Sequence, residues 1–558
     1  MTIIISLIIF LTYIFNDNYL SLQYKINRIE KLILNDIEDN PSKEKYQVFI
    51  SVSDSNSKAY VQNGNGSSLT EAIHNTEEKL KNVIKENNIE PQWVRVDIVN
   101  GEEKIKYSEL QTYISRESEM GFRKGIAFSD NYEIALLETE LNANNIINYV
   151  KDEIRYENLN SYLNTKNKGN KANISAPDEV IIFDCISYIS DENGTYKLRT
   201  EENSFGRREE DICNKENLKR IITNASNYLK NSVKENGSFV YEYDISDKKE
   251  SSSYNILRHE GTAWSMLQAY SLSNDEELKK KIDLSIQYIV ENALVYRNEN
   301  EIFVLDAEEN ELKLGANGIG ILLFVEYMKE YNSTDYEDII IKMGNAILEM
   351  QNEDGSYYHV YSYPDFEEKD EFRTVYYDGE ATYGLIKLYE YTKDKKWLDA
   401  AERSMDYFVE ENYEKYRDQW IEYSVSEIVE YLPKKEYFEL GLKNVTKNYE
   451  EIISDSDSSP TNLELITTGI KIYDKAIQKN IDVSNYNINL FTYAIQDRAN
   501  YQLNFYLYAE KVMYYDEPSK ILYAFYTNDR IRIDDVQHNI NAYYAIYQNY
   551  DVIQKYRK

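Results

Sequence analysis

The sequence predicts a multidomain chain, an N-terminal α+β domain followed by an all-α ring of six helical hairpins, (α/α)6. Three observations predict it. The 558 residues are 42% hydrophobic and 29% charged, enough apolar mass for more than one packed core. Strand-like and helix-like patterns mix from about Tyr46 to Thr200, whereas the chain from about Glu216 onward is almost wholly helical. Six helix starts of similar make-up recur through that second region at intervals of roughly 40 to 70 residues. That interval suits two helices and their loops at ~1.5 Å per residue.

Charge narrows the partners. Lys+Arg number 63 against 97 Asp+Glu, a net −34 that repels nucleic acid and anionic membrane surfaces. No nucleic-acid partner is therefore expected, and an anionic substrate would need a local basic pocket. Cys185 and Cys213 make no disulfide framework and have no CxxC neighbour, so lone buried thiols are expected, with neither metal nor cofactor. The 54 tyrosines fit codon bias in an AT-rich genome; a surface on which sugar rings stack is the alternative reading.

Along the chain, Thr2–Phe15 ("TIIISLIIFLTYIF") is apolar but shorter than the ~20 residues of a membrane span. It lacks a basic leader and a small-residue cleavage site. Lys25, Arg28 and Lys31 follow it and favour a cytoplasmic C-terminal side, so an uncleaved anchor over residues 2–15 is expected. A polar helical spacer (17–45) comes next. "YQVFISVS" and "KAYVQNG" read as paired strands, and "SLTEAIHNTEEKLKNVIKE" as an amphipathic helix that leaves His74 in solvent. "QWVRVDIV", "FRKGIAFS", "YEIALLE" and "EVIIFDCISYIS" read as strands, Glu140–Val150 as helix, and 164–177 as a polar loop. The expected boundaries are 1–45 anchor and spacer, 46–200 α+β domain, 201–215 linker and 216–558 helical ring.

In the helical region one set of helices carries a single apolar face, such as Ile282, Ile286, Ile289 and Val290, or Trp397, Ala401, Met405 and Phe408. A second set opens on small or polar residues and then turns apolar. Its starts are "RHEGTAWSML" (258), "GANGIGILLF" (315), "DGEATYGLIKL" (378), "WIEYSVSEIV" (420), "TNLELITTGI" (461) and "DDVQHNINAYY" (534). If inner and outer helices alternate, the six inner N-termini gather at one mouth, where helix dipoles and free N–H groups suit carboxylates and hydroxyl-rich ligands.

"EMQNEDGSYYHVY" (349–361), with "KENGSFVYEY" (234–243) as a weaker copy, resembles the Gln-x-x-Asp-Gly-Ser-aromatic turn of α/α toroid proteins. Residues 378–408 resemble a hairpin of the six-hairpin glycosidase-like superfamily, and the resemblance covers about residues 216–558. It implies an architecture shared by glycoside hydrolases, polysaccharide lyases, sugar epimerases, and terpene and lanthionine cyclases. No cysteine follows Cys213, which argues against the zinc site of lanthionine cyclases, and no terpene-cyclase acid motif is evident.

Candidate chemistry gathers at the helix starts. Arg258, His259 and Glu260 combine an anion fork, a neutral-pH acid–base and a carboxylate; the plainer reading is a helix-start cap. Asp534, Asp535 and His538 share a helix face, with Arg532 just before them; the alternative is a cap with a wall histidine. If the ring closes, His259 and His538 face each other across the closure. Tyr357, Tyr358 and His359 could wall a sugar groove, although turn chemistry alone explains Asp354 and Gly355. Asp378, Glu380, Glu422 and Glu464 are acids at other starts, beside Trp420. A carboxylate pair roughly 5 to 10 Å apart performs glycoside hydrolysis, and Asp378 with Glu380 is the first choice. Single acids of this kind otherwise complement the dipole.

The expected function is thus a glycan hydrolase using Asp378 or Glu380 with His259 and His538, and Asp535 in support. The alternatives are a uronic-acid lyase or C5-epimerase, or a non-catalytic glycan-binding protein of a surface-polysaccharide system.

Overall fold

The computed structural model describes residues 2–36, 45–116, 121–166, 173–201 and 204–557, without the side chains of 2–16. The expected anchor segment therefore lies outside the described side chains. Among the described residues no helix is long and apolar enough to cross a membrane. The chain divides into two compact units, residues 1–209 with 507–522, and residues 210–506 with 523–558.

The first unit is built on an antiparallel sheet. Its strands are β1 (Tyr46–Ser53), β2 (Tyr60–Gly66), β3 (Trp93–Lys106), β4 (Gly125–Ala127) and β5 (Ala135–Leu136), the hairpin β6 (Ile147–Asn148) and β7 (Glu153–Ile154) standing apart; β8 (Glu179–Ser190) and β9 (Thr195–Lys197) follow. The sheet order is β2-β1-β3-β8-β4-β5, with β9 on β8. Every residue of β1 is buried because both faces of the sheet are covered. Val48, Ile50 and Val52 pack under α1 (Thr2–Asp36) and α2 (Leu69–Asn87), against Leu22, Ile26, Ile29 and Ile33. Residues 17–36 are thus a packed element where a spacer was expected. Ser68 caps α2 by accepting the Glu71 N–H, and His74 is exposed as expected. Helices α3 (Tyr107–Arg116), α4 (Glu138–Ala143) and α5 (Tyr156–Lys166) close a second core around Ile126, Val180 and Ile182. The helix expected over Glu140–Val150 stops at Ala143, and Asn145 follows in the left-handed region at φ 51°.

The second unit alternates outer and inner helices. In chain order they are α6 (Lys215–Ser232, outer), α7 (Ile256–Ser273, inner), α8 (Glu276–Asn292), α9 (Leu314–Tyr331, inner), α10 (Glu337–Met350), α11 (Tyr376–Thr392, inner), α12 (Lys395–Glu410), α13 (Gln419–Ile428, inner), α14 (Lys435–Thr446), the short α15 (Tyr449–Ser454), α16 (Pro460–Gln478, inner) and α17 (Ile488–Gln502). The small helices α18 (Ala509–Val512) and α19 (Pro518–Ile521) lie in the segment that belongs to the first unit, so the second unit is not the unbroken 216–558 expected. Inner α20 (Ile533–Gln548) and the terminal α21 (Tyr550–Tyr556) complete the set. Each inner helix packs on the next, α7, α9, α11, α13, α16, α20, and α20 packs back on α7. The ring closes, and the architecture is an (α/α)6 toroid. Outer helices bury one stripe, as α12 does with Trp397, Ala401, Met405 and Phe408. Inner helices are enclosed on all sides, so α9 is buried continuously from Leu314 to Val325.

Candidate active site

All six predicted starts fall in the first turns of the six inner helices, and those turns touch in sequence around the ring. Glu260 of α7 approaches Gly320 of α9. A methyl at Gly318 of α9 would lie 2.3 Å from the carbonyl oxygen of Glu380, so glycine lets α9 and α11 meet backbone to backbone. Gly379 of α11 lies against Asp418 and Ile421 at the start of α13. Tyr423 of α13 donates to Glu464 of α16 (2.5 Å), and Glu464 bonds His538 of α20 (2.8 Å). Asp534 pairs with Arg258 (2.9 Å), joining α20 to α7.

Most acids of this belt are sealed. Glu260, Glu380, Asp418, Glu422 and Glu464 are all buried. Among the described residues neither carboxyl oxygen of Glu260 has a hydrogen-bond partner; burial, then the nearby Glu380, push its carboxyl well above the carboxylate range. Glu380 is raised by burial and then Asp418, and Glu422 by burial against a bond from Asn444 Nδ2 (3.1 Å). Asp378 uses both its oxygens. His359 Nδ1 accepts the Arg373 N–H (3.0 Å), so its Nε2 carries the proton to Asp378 Oδ1 (3.0 Å), while Tyr413 donates to Oδ2 (3.0 Å). Of the expected Asp378–Glu380 pair, Asp378 is thus engaged by His359 and Tyr413, and Glu380 is buried with no partner for Oε2 among the described residues.

His259 does not reach the mouth. It turns to the outer layer, where Nε2 meets Ser285 O (2.9 Å), Nδ1 meets Tyr254 Oη (2.6 Å) and the ring stacks on Tyr288. Burial pushes its pKa down to about 4, which keeps it neutral. It shares no partner with His538, so the expected pairing of the two is replaced by Arg258 with Asp534. Gly261 opens no space beside His259; it admits the Gln537 side chain, 2.8 Å from where a Cβ would stand. Tyr357 and His359 are likewise enclosed, Tyr357 Oη accepting from Ser404 Oγ (2.8 Å), and Tyr358 is half-buried.

What remains accessible is one cluster at the α20–α7 junction. The side chains of Arg258, Arg532, Asp535 and His538 are 37%, 19%, 18% and 21% exposed. Arg532 and Arg258 both fork onto Asp534, and Arg258 also meets Tyr241 Oη. Burial opposes a charge on His538, but Glu464, with Asp534 and Asp535, outweighs it and raises its pKa. Burial and then Asp534 raise Asp535 to about 6. Beside them Trp264, Tyr383, Trp420 and Tyr423 pack ring to ring, with Trp264 and Trp420 centroids 6.0 Å apart. Trp420 is thus a buried wall residue. Tyr423, Trp264 and Asp418 escaped the sequence reading. Tyr423 lies one residue from Glu422, and only the helical phase tells which of the two turns toward Glu464.

Three solved structures share part of this chain's path. A D-mannose isomerase is 12% identical, covers 62% of this chain and 99% of its own, and has a TM-score of 0.48. The cellobiose 2-epimerase of Bacillus thermoamylovorans is 10% identical over 60% of this chain and 100% of its own, TM-score 0.47. The GH76A α-1,6-mannanase of Salegentibacter sp. is 10% identical over 59% and 98%, TM-score 0.42. No protein-family model and no curated protein matches the sequence.

Proposed function

We propose that the toroid is a carbohydrate-active enzyme that moves a proton on a sugar, with Asp535 and His538 as its acid–base pair. The observation that carries this reading is the accessible His538–Asp535 pair, backed by the buried Glu464. Its surroundings raise both groups, Asp535 to about 6 and His538 above the usual imidazole range, so the two titrate in order. Asp535 is a carboxylate above about pH 6, and His538 keeps its proton to a higher pH than an ordinary imidazole. Asp535 takes a proton from a carbon beside a carbonyl, and His538 gives one to the carbonyl oxygen. The resulting enediol is reprotonated to an epimer or isomer. On a uronic acid, loss of the β-oxygen substituent in place of reprotonation gives the lyase outcome. Arg258 and Arg532 offer hydroxyl- or carboxylate-binding groups.

Hydrolysis is the second reading. It is favoured by Asp535 alone, an acid raised to about 6 with one carboxyl oxygen lacking a protein partner. The full-length protein is incubated with mono- and oligosaccharides in deuterated water. Deuterium on a sugar carbon, lost in Asp535→Asn and His538→Asn, supports proton transfer. Cleavage without deuterium supports hydrolysis. Unchanged sugars throughout, or full turnover by both variants, defeats the assignment.

A further inference from the structure

Asp378 has a use that catalysis does not claim. Its two oxygens hold His359 and Tyr413, and each of these braces an exposed ring. Phe372 lies on the His359 imidazole at 4.5 Å, tilted by 36°, and is 53% exposed. Tyr416 stands edge-on to Tyr413 at 5.0 Å and is 37% exposed. Between them in sequence, Tyr376 opens helix α11 and is 45% exposed. Large exposed apolar side chains are uncommon among the described residues, yet these three flank the starts of two adjacent inner helices, α11 and α13, at the rim of the mouth. All three are aromatic, and two of them rest on groups fixed by one buried carboxylate.

We propose that Phe372, Tyr376 and Tyr416 form a rigid aromatic platform that binds a neutral glycan chain at the rim of the mouth, apart from the Asp535–His538 cluster. The proposal rests on the carbohydrate reading above and deepens it, because a platform distinct from the acid–base cluster gives an oligosaccharide a second point of contact. Sugar C–H faces pack on aromatic faces. Polar groups beside the rings can meet the hydroxyls: Arg373, forked onto Glu311 and Asp370, stands next to Phe372 in the chain, and Arg417 next to Tyr416. A net charge of −34 disfavours polyanions and leaves neutral glycans as the fitting class. Asp378 is then a positioning residue.

The full-length protein is run by native electrophoresis through gels containing hydroxyethyl cellulose, yeast mannan or, as the anionic comparison, alginate. The expected result is retardation by a neutral glycan. Phe372→Ala, Tyr376→Ala and Tyr416→Ala each weaken it about two- to tenfold, the worth of one aromatic contact. Phe372→Trp restores it, and Asp378→Asn weakens it with all three rings still present. Tyr296→Ala and Tyr493→Ala, exposed at other places, leave it unchanged. The platform is overturned if neither neutral glycan retards the wild type, if only alginate does, or if the rim variants migrate as the wild type does. Deuterium exchange on monosaccharides separates the two proposals. Exchange without retardation sinks the platform alone, and retardation without exchange sinks the acid–base assignment alone.

Discussion

Glu464→Gln tests the centre of the proposed site directly. The Glu464 carboxylate, 2.8 Å from His538 Nδ1, is the main group opposing the burial that disfavours a charge on the imidazole, with Asp534 and Asp535 behind it. A hydrogen bond to a charged group contributes about 1.5–3 kcal/mol, and one pKa unit corresponds to about 1.4 kcal/mol. The variant should therefore lower the pKa of His538 by about one to two units, leaving only Asp534 and Asp535 to oppose burial. The chain has only four histidines, so side-chain NMR titration resolves them one by one, and His538→Asn assigns the resonance. His259, held near 4, should stay silent above pH 5 in both proteins. The same measurement fixes a stability trend. A histidine whose folded pKa is raised stabilises the fold below its unfolded value of about 6.5, and that contribution is lost as pH rises through the folded value. Wild-type melting temperature should thus fall across the alkaline side of 6.5, and Glu464→Gln should flatten that part of the fall. If His538 titrates at the same pH in both proteins, Glu464 does not set its charge and the proposed acid loses its physical basis.

Other outcomes follow from the same geometry. Asp535 is raised from its ordinary 3.8 to about 6, so its proton stabilises the fold most below 3.8 and that contribution disappears as pH climbs through about 6. Asp535→Asn should accordingly stabilise the protein at pH 8, by up to about 3 kcal/mol in denaturant unfolding, while removing activity; a destabilised variant contradicts this. Glu260→Gln should stabilise the protein at pH 7 and flatten the loss of melting temperature as pH rises from about 4.5, since the carboxyl ionises freely only in the unfolded chain. His259→Ala should lower stability by about 2–4 kcal/mol through lost packing and two lost hydrogen bonds, with the pH dependence of turnover unmoved. Gly318→Ala should cost more than Gly315→Ala: the first new methyl meets the Glu380 backbone carbonyl at 2.3 Å, the second the movable Glu380 carboxylate.

The toroid was legible because its signal repeats. Enclosed helices with small first turns alternate with one-faced helices, and that contrast survives in composition alone. In the first unit β1 and β8 coincide with the expected strands, being long, β-branched runs, β1 buried throughout and β8 buried except at its first residue and at Asp184–Ile186. "FRKGIAFS" and "YEIALLE" shrink to Gly125–Ala127 and Ala135–Leu136 because the chain between them turns at Tyr132, φ 61°. The assignment of residues 507–522 to the first unit was out of reach, since it rests on partners hundreds of residues away. Glu510 accepts both the backbone N–H (2.9 Å) and the Nε–H (3.0 Å) of buried Arg208, and Tyr514 donates to Ser51 (2.9 Å). No local pattern encodes such pairs.

The site residues divide by their place within one helical turn. His259, Asn317 and Glu422 are each the fourth residue of an inner helix. All three turn to the outer layer: His259 to Ser285 O, Asn317 to Met343 O (3.2 Å) and Glu422 to Asn444. His538 is the sixth residue of α20. Two residues further along, at ~100° each, carry a side chain to nearly the opposite side of its helix. His538 therefore meets Glu464 of the neighbouring inner helix and keeps a path to solvent, whereas His259 is locked between layers. A helix start identifies the mouth, and the count from that start decides which of its residues can do chemistry. By that count "RHEGTAW" contributes Arg258 to the site, through Asp534, and its histidine to the wall.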